Sequence, residues 1–238
     1  MDTHGWRKSK MDYGLIGEKL GHSYSKLIQE KLLENYTYTL HPLAKDELDT
    51  FMKNKSFKGI NVTIPYKERV IPYLDEMDDA AKKIGAVNTI VNKDNLLIGY
   101  NTDYYGFLYT LDINNIEIKD KKVLVLGDGG ASKAIQAVVL DKHPKQMLVT
   151  NRTQHKNTIS LSEVYGNHQD IDVIINTTSV GMYPNIEDSP IDLSVFTNCS
   201  YVIDIIYNPF DTKLLLQAKS LNIPYVNGLQ MLVAQAKY

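Results

Sequence analysis

One stretch near the middle of the chain constrains the fold more than any other. Residues 123–126 are four consecutive apolar residues, and residues 127–132 follow with the sequence Gly-Asp-Gly-Gly-Ala-Ser. The apolar run predicts a buried strand, and helical spacing after the glycines predicts a helix. Gly127 would permit the sharp exit from the strand, and Gly129 would let the backbone approach a pyrophosphate at the helix N-terminus. The stretch therefore predicts a dinucleotide-binding unit, with a tight turn that binds no ligand as the alternative.

Beyond Lys121, short apolar runs alternate with helical patterns. The runs lie at 123–126, 146–150, 173–176, 202–205 and 224–226. Repeated strand–helix units are typical of a parallel, doubly wound sheet with right-handed crossovers. We therefore expect a Rossmann-like nucleotide domain in this part of the chain.

The first hundred residues follow a different pattern. Three strands are predicted at 13–17, 36–40 and 59–65. A hairpin over 85–100 is predicted to turn at Asp94-Asn95. Helices are predicted from about residue 24 and over 46–53 and 78–84. Strands joined by both helices and a hairpin indicate a mixed sheet.

The fold class that follows is α/β with two domains. We expect residues 11–101 and a final helix over 229–238 to form an N-terminal mixed-sheet α/β domain that binds substrate. Residues 102–228 are expected to form the Rossmann-like doubly wound parallel-sheet domain. Residues 1–10 are polar and are expected to form a flexible extension.

Charge and cysteine content narrow the class of protein. A formal net charge of -2 argues against nucleic-acid binding, which needs a basic excess. The single cysteine, Cys199, cannot form an intrachain disulfide or a four-cysteine metal site, and we expect no metal and a cytoplasmic location. No apolar run approaches the roughly 18 residues that span a bilayer, so no membrane is expected.

Polar residues follow several predicted strands of the first domain. Ser23 and Ser25 precede a helix, where capping is their ordinary role. Pro65 suits the first position of a helix, which would place Lys67 in the first turn. There the helix dipole would lower the pKa of Lys67, although a solvated surface lysine is the alternative. Asp103 also precedes a predicted helix, and polar residues at strand ends commonly line the cleft of α/β proteins.

The end of the second strand of the nucleotide domain carries a second cofactor signal. Sites for NAD place an acidic residue there, to bind the ribose 2′-hydroxyl. This chain has Asn151-Arg152-Thr153 instead, with Lys156 close behind. An arginine and a hydroxyl suit a 2′-phosphate, so NADP is favoured over NAD. A basic surface turn is the alternative.

Taken together, these segments resemble shikimate dehydrogenases. The resemblance covers nearly all of the chain from Tyr13 onward. It is carried by the motifs Gly21-His22-Ser23-Tyr24-Ser25, Asn61-Val62-Thr63-Ile64-Pro65-Tyr66-Lys67, Gly85-Ala86-Val87-Asn88-Thr89, Gly99-Tyr100-Asn101-Thr102-Asp103, Gly127-Asp128-Gly129-Gly130-Ala131-Ser132, Asn151-Arg152-Thr153, Asn176-Thr177-Thr178-Ser179-Val180-Gly181-Met182, Asp204-Ile205-Ile206-Tyr207-Asn208-Pro209 and Gly228-Leu229-Gln230-Met231-Leu232-Val233-Ala234-Gln235-Ala236.

The resemblance implies reversible NADPH-dependent reduction of 3-dehydroshikimate to shikimate, on the route to aromatic amino acids. It implies a catalytic pair of Lys67 and Asp103. Substrate contacts are implied for Ser23, Ser25, Thr63, Asn88, Asp103, Tyr207 and Gln230. Cofactor contacts are implied for Gly127, Gly129, Gly130, Ala131, Asn151, Arg152, Thr153, Lys156, Thr177 and Gly228. The expected partners are a small-molecule substrate and, at most, a second copy of the chain in a homodimer.

The chain departs from the family pattern in the nucleotide domain. Asp128 stands where alanine is usual, and its carboxylate would repel a pyrophosphate unless it points away. Lys133 replaces arginine, and the stretch from Arg152 to Asp170 is short, so a crossover helix is expected to be reduced to a loop. Two alternatives remain open: a quinate/shikimate dehydrogenase, and a weakened member that acts as a shikimate-binding module.

Overall fold

The structure is a computed structural model that describes residues 11–20, 24–32, 37–151 and 157–238. It divides into two compact units, one ending at Asn101 and the other beginning at Thr102. The division coincides with the predicted boundary after residue 101.

The first unit contains a six-stranded mixed sheet. Its strands are β1 (Tyr13–Gly17), β2 (Thr39–Pro42), β3 (Gly59–Val62), β4 (Glu76–Met77), β5 (Thr89–Lys93) and β6 (Leu96–Tyr100), in the order β2-β1-β3-β5-β6-β4. Its helices are α1 (Ser25–Leu32), α2 (Leu48–Asn54) and α3 (Asp79–Ile84). β1 is parallel to β2 and β3, whereas β5 is antiparallel to both β3 and β6. The mixed sheet is confirmed, and β4 is a strand that the sequence pattern did not predict.

The second unit contains a five-stranded parallel sheet. Its strands are β7 (Lys122–Leu126), β8 (Gln146–Thr150), β9 (Val173–Asn176), β10 (Tyr201–Asp204) and β11 (Tyr225–Val226), in the order β11-β10-β9-β7-β8. Its helices are α4 (Thr102–Ile113), α5 (Gly130–Asp141), α6 (Leu161–Asn167), α7 (Lys213–Ser220) and α8 (Leu229–Gln235). The chain passes from β7 to β8 on one side and then to β9 on the other, which is the reversal that defines a doubly wound sheet.

The apolar run of β7 is explained by burial on both faces of this sheet. Val123 and Val125 join one hydrophobic cluster, and Leu124 and Leu126 join another. A strand covered on both faces has no polar side, so its sequence is continuously apolar rather than alternating.

Three local expectations differ from the structure. The stretch after Arg152 retains a helix, α6, because Ser160 caps it by accepting a hydrogen bond from the Glu163 N–H at 3.1 Å. Residues 67–70 form turns and no helix begins at Pro65. Helix α8 belongs to the second compact unit, where it packs along α4, rather than to the first.

Candidate active site

Candidate residues of the first unit lie where β1 and β3 end side by side. Ile16 pairs with Val62, and the Thr63 N–H donates to the Ile16 carbonyl at 2.9 Å. A side chain on Gly17 would lie 2.5 Å from the Thr63 methyl group. Glycine at this position therefore allows Thr63 to sit directly against the end of β1.

Main-chain hydrogen bonds bring Lys67 and Asn88 to the same edge of the sheet. The Val62 N–H donates to the Asn88 carbonyl at 2.7 Å, and the Val87 N–H donates to the Lys67 carbonyl at 2.7 Å. Because no helix begins at Pro65, the expected effect of a helix dipole on Lys67 has no structural basis. The hydrogen bond from the Val87 N–H fixes the backbone at Lys67.

The Asn88 side chain belongs to a hydrogen-bonded relay. Its Oδ1 accepts from the Thr89 hydroxyl at 3.2 Å, and that hydroxyl accepts from Asn61 Nδ2 at 2.9 Å. Asn61 Oδ1 in turn accepts from the hydroxyl of Tyr38, which is 1% exposed. Asn88 is 4% exposed, and this partly buried network of hydrogen bonds orients its side chain. No local pattern in the sequence indicates that Tyr38 and Asn61 support Asn88.

The two candidate serines precede or begin α1. Ser25 is the first residue of the helix and is partly buried. Free N–H groups at a helix N-terminus, together with a hydroxyl, suit a carboxylate. Ser23 lies outside the described residues.

Asp103 lies in the first turn of α4, where the helix dipole stabilises a carboxylate. Gln230 does not lie at that end of the helix. Its Oε1 accepts from Asn114 Nδ2 at 2.5 Å, beyond the C-terminus of α4. Gln235 takes the position near Asp103, because its Oε1 accepts from the Thr102 hydroxyl at 3.2 Å.

This placement follows from the antiparallel packing of α4 and α8. Gly106 lies at the contact, where a Cβ atom would be 2.8 Å from the Met231 carbonyl oxygen. Gln235 therefore lies at the start of α4, and Gln230 lies at its end. Both glutamines lie in the same motif, and its periodicity does not reveal the direction of the helix pair.

The glycine turn of the second unit has the predicted strand–turn–helix form. Gly127 has φ +98, in the region that favours glycine, and a side chain there would lie 2.9 Å from the Thr178 methyl group. Helix α5 follows, with N-cap Gly129, which offers no side chain to cap the first N–H groups. A Cβ atom on Gly129 would meet nothing within 4 Å, so the space beside the turn is open.

The other cofactor candidates of this unit follow the carboxyl ends of its parallel strands. Thr177 follows β9, and its N–H and hydroxyl donate to the Leu126 carbonyl at 2.9 and 2.7 Å. Asn151 follows β8. Tyr207, a candidate for substrate binding, follows β10. Gly228 precedes α8, and its N–H donates to the Ile206 carbonyl at 2.9 Å. Arg152, Thr153 and Lys156 lie outside the described residues.

These residues fit a dinucleotide. β7 and β9 flank the reversal in strand order, which is where open α/β sheets bind ligands. The N–H groups at the start of α5, including those of Gly130 and Ala131, are suitable donors for a pyrophosphate, and a Cβ atom at Gly129 would have no neighbour within 4 Å.

A buried polar network holds the loops after β9 and β10. Asp204 is 0% exposed and accepts from Asn176 Nδ2 at 3.0 Å, the Thr212 hydroxyl at 2.7 Å and the Ile206 N–H at 3.0 Å. Asn176 Oδ1 accepts from the Thr178 N–H at 3.0 Å. Burial raises the pKa of Asp204 to about 6, against the opposing effect of its three donors.

In the described part of the chain, no helix has the length and apolar character required to cross a membrane. Within the same residues, no three His, Cys, Asp or Glu side chains are grouped so that they could hold a metal ion.

The chain is similar to known proteins over most of its length. Residues 15–90 match the family model of the shikimate dehydrogenase substrate binding domain. The shikimate dehydrogenase (NADP(+)) of Clostridium beijerinckii is 43% identical, over 94% of this chain and 88% of the relative.

Solved structures are also similar. A chorismate mutase/shikimate 5-dehydrogenase fusion protein from Clostridium acetobutylicum aligns with a TM-score of 0.87 and 41% identity, over 95% of this chain and 88% of that one. The Thermus thermophilus shikimate 5-dehydrogenase, solved in complex with NADP(H) and shikimate, aligns with a TM-score of 0.84 and 28% identity, over 95% and 90% of the two chains. At this similarity over nearly its whole length, the chain belongs to the shikimate dehydrogenase family.

Proposed function

We propose that the protein catalyses the reversible NADPH-dependent reduction of 3-dehydroshikimate to shikimate. The observation that carries this proposal is the grouping of Thr63, Lys67 and Asn88 by main-chain hydrogen bonds at one edge of the first sheet. All three lie within the residues that match the substrate-binding family model. A hydroxyl, an ammonium and an amide suit a small acid that carries several hydroxyl groups.

The roles of these residues follow from the charges that the reaction creates. Bound NADPH supplies a hydride to the ketone carbon of the substrate. Negative charge then develops on the ketone oxygen, and we propose that the Lys67 ammonium stabilises that charge and donates a proton. Thr63 and Asn88 are proposed to bind the ring hydroxyls.

Other residues are proposed to orient the substrate. Asp103 is proposed to accept a hydrogen bond from the hydroxyl next to the ketone, and Ser23 and Ser25 to bind the carboxylate. Tyr207 is proposed to line the site. Gln235 replaces Gln230 as the proposed glutamine ligand, because it lies at the Asp103 end of α4.

The nucleotide is proposed to bind through the second unit. The N–H groups of the glycine turn and of Ala131 would receive the pyrophosphate, with Asn151, Thr177 and Gly228 around it. Arg152, Thr153 and Lys156 are proposed to bind the 2′-phosphate that distinguishes NADP from NAD.

Two further proposals concern the setting of the protein. The single cysteine supports a cytoplasmic location, because it cannot form a disulfide within the chain and proteins of reducing compartments do not depend on disulfides. We also propose that the protein acts as a monomer or homodimer.

The test is an absorbance assay at the nicotinamide band with purified protein, shikimate and NADP+, repeated with NAD+ and with quinate. We expect reduction of NADP+ with shikimate. Preference for quinate with NAD+ would instead identify a quinate dehydrogenase. Calorimetric binding of shikimate without binding of NADP+ would indicate a binding module.

A further inference from the structure

Asp128 is the residue of the glycine turn that a dinucleotide site does not require. It lies between Gly127 and Gly129, two residues before α5 begins. A carboxylate directed at the helix N-terminus would oppose the binding of a pyrophosphate, because two negative charges a few ångströms apart repel each other. The position of this side chain therefore bears directly on cofactor affinity.

The structure shows what holds the carboxylate. Gln136 Nε2 donates to Asp128 Oδ1 at 3.0 Å and also to Ser132 Oγ at 3.0 Å. The Ser132 hydroxyl donates to the Gly127 carbonyl at 2.7 Å. Both hydrogens of the Gln136 amide are thus used, and both of its partners are acceptors, which fixes the orientation of the amide. We call Asp128, Ser132 and Gln136 the α5 clasp.

The clasp ties the carboxylate to a side chain on the flank of α5. The backbone of Gln136 is six residues beyond Gly130, roughly 9 Å along the axis, and its side chain reaches back toward the N-terminus to contact Ser132 and Asp128. Ser132 and Gln136 are four residues apart and share one helix face, and Ser132 is 0% exposed. The open space beside the turn lies at Gly129, whose added Cβ would meet nothing within 4 Å.

We propose that Gln136 is a positioning residue for NADP, which holds the Asp128 carboxylate against the flank of α5 and so keeps the helix N-terminus available to the pyrophosphate. This inference rests on the proposed function. It identifies Gln136, which matches none of the residues singled out in the sequence, as a determinant of cofactor affinity.

The first experiment measures NADP+ binding by calorimetry at low salt, without substrate. Gln136→Met keeps the length of the side chain and removes both donors. We expect its Kd for NADP+ to rise about tenfold, the size of one like-charge interaction at a partly exposed site, and the rise to shrink as salt is added. Gln217→Met in α7 is the matched control, because it removes a similar hydrogen bond, which Gln217 Nε2 donates to Ser189 Oγ.

Two further measurements separate positioning from loss of structure. In an Asp128→Asn background, Gln136→Met should change the Kd less than about twofold, because no charge is released. Adenosine 2′-monophosphate, which has no pyrophosphate, should bind the wild type and Gln136→Met equally well. Gln136→Asn, which is too short to reach both partners, provides a second variant if Gln136→Met does not fold.

The outcomes are distinguishable. An unchanged Kd in a folded Gln136 variant would overturn the inference, as would an equal loss in the Asp128→Asn background or an equal loss for adenosine 2′-monophosphate. Wild-type protein that binds no NADP+ would overturn the proposed function itself, and the inference with it.

Discussion

The two units of the chain hold their polar residues by different means. In the first unit, main-chain hydrogen bonds fix the segments that carry Thr63, Lys67 and Asn88. In the second, the buried side chain of Asp204 holds the loops that follow β9 and β10. A backbone bond survives substitution of the side chain, whereas a side-chain network does not. Substitution of Thr63 or Lys67 should therefore report on chemistry. Substitution of Asn88, whose side chain joins the relay through Thr89, or of a residue in the Asp204 network should disturb the local structure as well.

The largest expected effect is on turnover, and it tests whether main-chain hydrogen bonds hold the candidate residues of the first unit. Lys67→Ala should lower kcat by roughly 10²- to 10⁴-fold, the range expected for loss of a general acid. Because the Lys67 carbonyl still accepts from the Val87 N–H, the thermal midpoint and the Kd for NADP+ should remain close to those of the wild type. The exposed Lys82→Ala is the control, and turnover that survives Lys67→Ala would remove the assigned acid.

The next effect concerns cofactor choice in the second unit. Arg152→Ala should weaken NADP+ about a hundredfold and leave NAD+ nearly unchanged, because only NADP+ carries the 2′-phosphate that a guanidinium binds by charge-assisted hydrogen bonds. The measurement is the Kd of each cofactor by calorimetry. Equal losses for the two cofactors would show that Arg152 does not recognise that phosphate.

A pH-dependent effect follows from the burial of Asp204. The pKa of Asp204 is about 6 in the folded protein and has an ordinary value of 3.8. The folded state therefore binds more protons than the unfolded state between these values, and the free energy of unfolding falls as pH rises from about 4 to 6.

Asp204→Asn removes this titration. The unfolding free energy of the wild type minus that of Asp204→Asn should fall by roughly 2 kcal/mol between about pH 4 and pH 7. Urea denaturation at several pH values provides the measurement. A difference that is flat or rises with pH would contradict the assignment.

The smallest effect compares one helix cap from each unit. Asp78 caps α3 by accepting from the Ala81 N–H at 2.8 Å, and Asp78→Ala should cost about 1 kcal/mol. Thr212 caps α7 and also donates to the buried Asp204 at 2.7 Å. Thr212→Val should therefore cost about 1 kcal/mol more, because it leaves a buried acceptor without one donor. Equal costs in urea denaturation would remove the distinction between the units.

Features that depend on neighbouring residues could be predicted from the sequence. The continuous apolar run of β7 and the glycines after it indicated a buried strand and a turn, and both are present. The hairpin turn was also predicted at Asp94 and Asn95. These residues adopt φ values of 52 and 68, as type I′ turns require. A loop was expected where α6 lies, although Ser160 and Glu163 form the pattern of a capping box, which is a local signal for the helix.

Features decided by distant parts of the chain could not be predicted in this way. Pro65 is compatible with a helix, but the segment is held by a bond from the Val87 N–H, twenty positions beyond the Lys67 carbonyl that accepts it. Gln235 lies near the start of α4 and Gln230 near its end because of the direction in which α8 packs on α4. The α5 clasp requires a helix to bring residues 128 and 136 together, so no local motif indicates it.

The absence of a methyl group at Gly106 sets the spacing between α4 and α8. A Cβ atom there would approach the Met231 carbonyl oxygen to 2.8 Å and the Gln235 Cβ to 2.9 Å. Neither atom belongs to the end of a flexible side chain, so any larger residue must move the helix itself. Position 106 thus limits how closely the two helices approach, and alanine and valine there form a graded pair that would shift the Gln235 amide without adding or removing a polar group.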